Sequence, residues 1–325
     1  MSLNKLRWKS RKGIRELDIL LQNFLNLEYE QLNDQHKKIF EEVLEIETYD
    51  LLNAITGKSS YNEEYEPIIK KLSNLSSLNN GKNRIRLGVN IDHIATIRTN
   101  RNTDYPSLIA AVNIAEQNGA DLITIHLRED RRHIQDQDLF DISSVAKKLN
   151  LEMALTNEMI DICIKAKPNY CCIVPEKREE LTTEGGLDIT GMNSDQFQLL
   201  SNSINKFHDN NIKASLFIDP VITQIDYSIK AGATCIELHT GSYANASDSA
   251  TKNKELNRIK EAAQYASKSN LQVHAGHGLN LSNLSDICKI SQIEELNIGH
   301  AIIADSIFKG FKQAIHDFRS AIDNG

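Results

Sequence analysis

The 325-residue sequence has no apolar run near the roughly 20 residues that span a bilayer. That excludes a membrane-spanning helix and, with no apolar core among the first residues, sets the expectation of a cytoplasmic protein. Cysteine is scarce: five residues, at 163, 171, 172, 235 and 288, with no Cys-x-x-Cys pair. An odd number, mostly in or beside apolar runs, points to free, buried thiols in a reducing compartment. Cys171 and Cys172 point to opposite faces of a strand and cannot share a metal there. Basic charge is not in excess either. Lys and Arg number 37 against 44 Asp and Glu, a net charge of -7, which argues against a nucleic-acid scaffold. Missing too is a G-x-G-x-x-G after the first strand, which counts against a doubly wound dinucleotide-binding sheet. The remaining composition, 40% hydrophobic and 25% charged, is that of a soluble globular protein long enough for one barrel and something small.

Glycine and proline are thin at one end. Residues 1–83 hold three Gly (13, 57 and 81) and one Pro, and their apolar residues recur at helical spacing. Leu17, Leu20, Leu21, Phe24 and Leu25 form one stripe; Ile39, Phe40, Val43 and Leu44, then Leu51, Leu52 and Ile55, continue it. Asn33 or Asp34 caps a helix expected to run to about Glu47. Residues 1–15 carry six Lys/Arg and no acid, whereas 16–50 carry ten Asp/Glu against two Lys. This part reads as a small all-α helical bundle over 1–72 with a basic arm, followed by a linker of small polar residues at 73–83.

From residue 84 the period changes. Strand-like runs at 86–92, 121–127, 150–156, 170–176, 213–219, 235–241, 272–278 and 295–301 alternate with helical patterns, for example 107–118, 157–166, 222–231, 251–269 and 305–323. Eight strands alternating with helices over 84–325 fit a (β/α)8 TIM barrel. The strands end on polar residues, where the active site of such a barrel sits. The run GVNIDHIATIR (88–98) is a buried-type strand ending in Asn90, Asp92 and His93, and His126, His239, His277 and His300 stand at or near later ends. A single strand histidine reads best as a hydrogen-bonded core residue; the set reads as a catalytic centre.

Period-two spacing puts Asn90 with Asp92, His126 with Arg128, and Glu237 with His239 on shared faces, while His274 and His277 point apart. The run from Arg128 to His133 is either a solvated charge run or an anion clamp in which Arg128 and His133 grip a phosphate, with Arg101 a second cationic candidate. Gly276-His277 and Gly299-His300 end the last two strands, where barrels hold phosphate on backbone N–H groups. Thr182 to Leu187, in a long connection, reads as a lid. Two phosphate-compatible regions call for two phosphorylated substrates or one bisphosphate. Glu152 lies among Leu151, Met153 and Leu155. It is either a carboxyl raised by burial and suited to proton transfer near neutrality, or one half of a structural salt bridge.

Residues 84–325 resemble the pyridoxine 5′-phosphate synthase family. The resemblance rests on GVNIDHIATIR (88–98), HLREDRRHI (126–134), NLEMA (150–154), VPEKR (174–178), TTEGGLD (182–188), IELHTGSYA (236–244), AGHGL (275–279) and LNIGHAII (296–303). It implies condensation of 3-amino-2-oxopropyl phosphate with 1-deoxy-D-xylulose 5-phosphate to pyridoxine 5′-phosphate, with release of phosphate and water. The step belongs to vitamin B6 biosynthesis and needs neither metal nor organic cofactor. By the same resemblance His126 and Glu152 are proton acceptors, His277 is a proton donor and Glu237 stabilises transition states. Asn90, Arg101, Gly278, Gly299 and His300 then contact the amino-ketone phosphate, and Asp92, His93, Arg128, His133 and Thr182 contact the sugar phosphate. A homo-octamer is implied as well.

Residues 1–70 resemble a second family, the succinate dehydrogenase assembly factors, helical proteins that promote covalent attachment of FAD to a flavoprotein subunit. The carrying residues run from Trp8 to Asp18, followed by Leu20, Leu21 and Phe24. The family's Arg-Gly-x-x-Glu stands here as Lys12, Gly13 and Glu16; lysine keeps the charge but lacks the arginine fork. Two other expectations remain. One is a different phosphosugar isomerase or aldolase barrel, against which the two phosphate regions count. The other is a flavoprotein-assembly partner in which the barrel is secondary.

Overall fold

The computed structural model describes residues 3–75, 84–176 and 185–325, and the chain divides into two compact units, Met1–Arg84 and Ile85–Asp323. In the first unit helices run over Leu3–Lys9, Arg15–Leu27, Asp34–Val43, Thr48–Ile55 and Glu66–Leu75. The sequence stripes become its core: Leu17, Leu21, Phe24, Phe40, Val43, Leu51 and Ile55 are fully buried, joined by Ile68 and Leu72. Phe24 stacks on Phe40 with ring centroids 4.7 Å apart. Asn33 is the cap of the third helix, its side-chain oxygen accepting the His36 N–H at 2.8 Å. That helix ends at Val43, short of Glu47, and Lys12 Nζ donates to two carbonyls just beyond its end, Leu44 O and Ile46 O, both at 2.7 Å. The last helix runs to Leu75, inside the segment expected as linker; the rest of that segment lies outside the described residues.

The second unit is a closed parallel barrel of eight strands in sequence order. They are β1 Arg86–Asn90, β2 Leu122–His126, β3 Leu149–Met153, β4 Tyr170–Ile173, β5 Lys213–Ile218, β6 Cys235–His239, β7 Gln272–Gly276 and β8 Ile293–Ile298. Alternation along each strand decides what faces where. Leu87, Val89, Ile123, Ile125, Leu151, Leu216, Ile236, Val273 and Leu296 belong to the large core beneath the surrounding helices. The residues between them, such as Gly88, Thr124, Glu152, Glu237, His274 and Asn297, face the barrel interior, which is therefore unusually polar. Cys171 joins the outer core while Cys172 comes within 3.9 Å of Glu237, so the adjacent cysteines do take opposite faces.

The strands stop about two residues before the sequence runs do, since the polar residues at their ends leave the ladder. After Asn90 the chain enters a helix, Asp92–Arg101, ahead of the expected one, which forms at Leu108–Gln117. The final helical pattern is two helices, His300–Lys309 and Phe311–Asp323, broken at Gly310 with φ +81°. Among the described residues no helix is long and apolar enough to cross a membrane.

Candidate active site

The mouth of the barrel is organised around Asp92. Its backbone N–H donates to Asn90 Oδ1 at 2.9 Å, its Oδ2 accepts from Asn90 Nδ2 at 2.8 Å, and its Oδ1 accepts the His126 N–H at 2.9 Å. One buried carboxyl thus ties the end of β1 to the end of β2. Burial pushes its pKa up, and the neighbouring His126 pulls it back.

His126 and Glu152 stand abreast on β2 and β3, and Glu152 pairs in turn with Cys172 on β4. Burial drives the Glu152 carboxyl well above the usual carboxylate range, and the carboxyls of Glu237 and Asp92 add to the rise. Among the described residues its electrostatic neighbours are acids, and no salt bridge to a Lys or Arg holds it. Glu237, on β6, is held at about 8 by burial and by Glu295 beneath it, against the opposing hydrogen bonds from Asn297 and Cys172. Asn297 Nδ2 donates to Glu237 Oε2 at 2.8 Å while its Oδ1 accepts from Thr124 Oγ1 at 2.8 Å. Below, Glu295 accepts from Arg86 Nε at 2.8 Å and lies 3.2 Å from His274 Nδ1. His274 therefore belongs to the barrel's interior support, and His277 to its mouth.

Two glycines give this arrangement its space. A Cβ on Gly88 would lie 2.0 Å from Asn297 Oδ1, and one on Gly276 would lie 2.3 Å from Glu237 Oε1. Glycine on β1 and β7 is what lets the interior side chains of β8 and β6 occupy their positions.

A second cluster lines the rim. His133, His93 and His300 form a row, with ring centroids 6.5 Å and 5.2 Å apart. Thr96 Oγ1 lies 2.8 Å from His133 Nδ1 and sets that ring's orientation. Burial and then the His93 charge lower the His133 pKa to about 4; burial and then His300 lower that of His93. The charge run beside them divides its labour. Arg131 pairs with Asp136 and Glu158, and Arg132 with Asp130, as a solvated run does. Arg128 alone turns inward, 6% exposed.

There Arg128 meets a residue that the sequence reading missed. Glu176 Oε2 is 3.6 Å from His126 Nε2, its Oε1 is 3.6 Å from Arg128 Nε, and that oxygen also accepts the Glu129 N–H at 2.9 Å. At 3.6 Å the first two are ion-pair separations, too long for hydrogen bonds. Accordingly His126 Nε2, Glu176 Oε2 and Arg128 Nη2 are buried polar atoms without a hydrogen-bond partner. The signal for Glu176 was its place just past the apolar run of β4, inside the VPEKR motif.

Of the other expected positions, His277 follows β7 with its backbone at φ +82° and its pKa lowered to about 4 by burial and by His239. Gly278 adjoins it. Gly299 precedes the helix His300–Lys309, and a Cβ there would lie 2.9 Å from Asn90 Cβ, so the end of β8 closes against β1. Arg101 ends the helix Asp92–Arg101 with its side chain exposed. Thr182 lies outside the described residues. The following Gly186 N–H donates to Asp219 Oδ1 at 3.2 Å and Leu187 N–H to Phe217 O at 2.7 Å, which docks this end of the connection on β5. Among the described residues no group of three or more His, Cys, Asp or Glu is arranged to hold a metal ion.

Comparison with known proteins decides the family. The sequence profile of pyridoxal phosphate biosynthesis protein PdxJ matches residues 87–324. The chain belongs to the PdxJ family. Pyridoxine 5′-phosphate synthase of Blochmanniella pennsylvanica is 53% identical over 239 residues, covering 73% of this chain and 96% of that protein. The enzyme of the same name from Sulfurihydrogenibium sp. is 52% identical over 244 residues, covering 74% and 98%. The barrel is thus an enzyme of vitamin B6 synthesis with the pyridoxine 5′-phosphate synthase activity of these relatives. A protein cage designed by fusing symmetric oligomeric domains shares the barrel fold alone, with a TM-score of 0.51 at 14% identity over 74% of this chain and 73% of that one. Residues 4–76 match a separate profile, the flavinator of succinate dehydrogenase, Sdh5.

In the first unit the motif residues cap and turn. Lys12 is half-buried; its backbone N–H donates to Asp18 Oδ1 at 2.5 Å, and burial lowers its pKa. Gly13 follows at φ +84°, a left-handed turn, and donates to the same carboxylate at 3.2 Å. Glu16 lies in the second helix, and its side chain is outside the described residues.

Proposed function

We propose that the barrel condenses 3-amino-2-oxopropyl phosphate with 1-deoxy-D-xylulose 5-phosphate, with His126 and Glu152 as proton acceptors, His277 as proton donor and Glu237 as the group that steadies developing charge. The observation that carries this reading is the pair His126 and Glu152, abreast at the barrel mouth, one imidazole and one carboxyl pushed up by burial and by two further acids. Joining an amine to a ketone, eliminating water and phosphate, and closing a ring move protons at several carbons, and two adjacent proton-transfer groups, an imidazole and a buried carboxyl, suit that work. Glu237, held at about 8, is mostly a neutral acid at neutral pH and can donate a hydrogen bond to a developing oxyanion. His277 at about 4 is a neutral imidazole; the charge of a bound phosphate favours its cation and prepares it to give up a proton.

Asp92, His93, Arg128, His133 and Thr182 serve the sugar phosphate in this reading, and Asn90, Arg101, Gly278, Gly299 and His300 the amino-ketone phosphate. The buried, unpartnered Arg128 Nη2 and His126 Nε2 support a ligand at that wall. The decisive experiment incubates the full chain, and separately residues 84–325, with both phosphates and follows pyridoxine 5′-phosphate. Product from both is expected. A folded full chain that makes none overturns the reading. A homo-octamer in the cytoplasm belongs to the same proposal and is checked by the mass of the purified chain in solution.

For the first unit the proposal is assistance to covalent FAD attachment on a flavoprotein subunit, supported by the profile match over 4–76 and by the intact turn at Gly13. Lys12 here caps a neighbouring helix, so its charge is engaged within the unit. Co-purification with a flavoprotein subunit, and the FAD bound covalently to it, are compared between the native chain and Gly13→Arg. Loss of both is expected; unchanged levels remove the assembly role.

A further inference from the structure

His277 occupies a backbone conformation that a non-glycine residue adopts only when its surroundings insist, at φ +82°. Those surroundings come from the end of β6. The Thr240 side chain is fully buried, and its Oγ1 lies 2.8 Å from Gly276 O and 2.6 Å from His277 O. Gly276 O also accepts the Thr240 N–H at 2.9 Å, and the single hydroxyl hydrogen lies between the two carbonyls, with His277 O the nearer. Next to it, the His239 ring meets the His277 ring edge-on at 4.9 Å, and His239 Nδ1 is anchored 3.0 Å from Asp219 Oδ1. Gly241 completes the contact: a Cβ there would lie 2.5 Å from His239 Nε2 and 3.1 Å from His277 Cδ2. Three successive residues, His239, Thr240 and Gly241, thus grip the carbonyl and the ring of His277 from one side.

We propose that Thr240 is a positioning residue of the catalytic site, its hydroxyl holding the strained His277 backbone so that the imidazole keeps its place for proton transfer. The inference rests on the reading of His277 as proton donor. Thr240 itself acts through His277. A hydroxyl on a backbone carbonyl is a small restraint, but a general acid displaced by a fraction of its reach loses most of its effect.

The test uses the full chain and steady-state kinetics with both phosphorylated substrates. Thr240→Val keeps the shape and removes the hydroxyl; Thr240→Ser keeps the hydroxyl. Thr240→Val is expected to lose about 10- to 100-fold in kcat with KM within about threefold, and Thr240→Ser to recover most of that loss. In a His277→Ala background, Thr240→Val should cost nothing further, because the group it positions is gone. Should the valine variant fail to fold, Thr240→Ala against Thr240→Ser makes the same comparison. A folded valine or alanine variant with native kcat overturns the proposal, as does a serine variant no better than it, or losses that multiply in the double variant. If His277→Ala alone retains native turnover, the reading of His277 as proton donor fails, an outcome separable from the failure of Thr240.

Discussion

Glu152 and Glu237 are two buried carboxyls of one cavity with different support. Glu237 accepts an amide hydrogen from Asn297, which favours its anion, while Glu152 faces the acids Glu237 and Asp92. Ionising Glu152 is therefore opposed by burial and by both acids, which makes its carboxylate, once formed, a strong base suited to accept a proton. Glu152→Gln should lower kcat by about 10²- to 10⁴-fold while leaving the thermal midpoint of the barrel unchanged or slightly raised, since it removes an ionisation that burial opposes. A folded variant within tenfold of native turnover would deny Glu152 its role. The rim histidines carry a related prediction. His133 and His277 are mostly neutral at pH 7 with pKa values of about 4, and a phosphate dianion beside either favours the cation. Substrate binding at pH 7 should then take up protons, seen as a calorimetric heat that varies with the ionisation enthalpy of the buffer. Buffer-independent heat would show that neither ring titrates on binding.

At the scale of strands, position in the barrel decides what a residue means. On β7 a methyl group added to Gly276 points at Glu237 Oε1, whereas the adjacent Ala275 sits in the outer core. Gly276→Ala must displace the Glu237 carboxyl or the strand, an overpacking that costs about 1–3 kcal/mol. It should also depress kcat at least tenfold; native kcat in a folded variant would mean that Glu237 need not hold this position. Alternation of this kind is visible in the letters, and the eight strands, their parallel order and the polar mouth followed from it. The sequence could not show which interior partner each polar residue finds. Asn297, Thr124 and Gly88 lie on three strands far apart in the chain and meet only through barrel closure. Glu176 was hidden for the same reason, its partner being β2. The helix Asp92–Arg101 was missed because its apolar face is short: Asp92 and Ala95 are its buried residues, so no stripe announces it.

For the barrel as a whole, these shifted groups set how stability follows pH. His133 and His277 have folded pKa values of about 4 against an ordinary 6.5. As pH falls from 6.5 towards 4 the unfolded chain gains protons that the native chain refuses, so their contribution is present above 6.5 and is lost on acidification. Glu237 acts in the opposite sense. Its carboxyl has an ordinary value of 4.5 and about 8 when folded, so the native chain keeps a proton that the unfolded chain releases. That contribution is whole below 4.5 and is lost as pH rises through about 8. The two trends oppose each other up to and just above 6.5, where the unfolded histidines are still losing their protons; nearer 8 the histidines are neutral in both states and the buried acids prevail. Glu152, raised by the same burial, adds to them. The barrel should therefore lose stability as pH rises from above 6.5 to about 8, where most surface carboxylates have finished titrating. Glutamine at position 237 keeps the shape of the neutral acid at every pH. The difference in thermal midpoint between Glu237→Gln and the native chain should grow in favour of the variant as pH rises from 6.5 to about 8. Parallel midpoint curves across that range would place the Glu237 proton loss below it, and with that loss the neutral hydrogen-bond donor assigned to the site would go too.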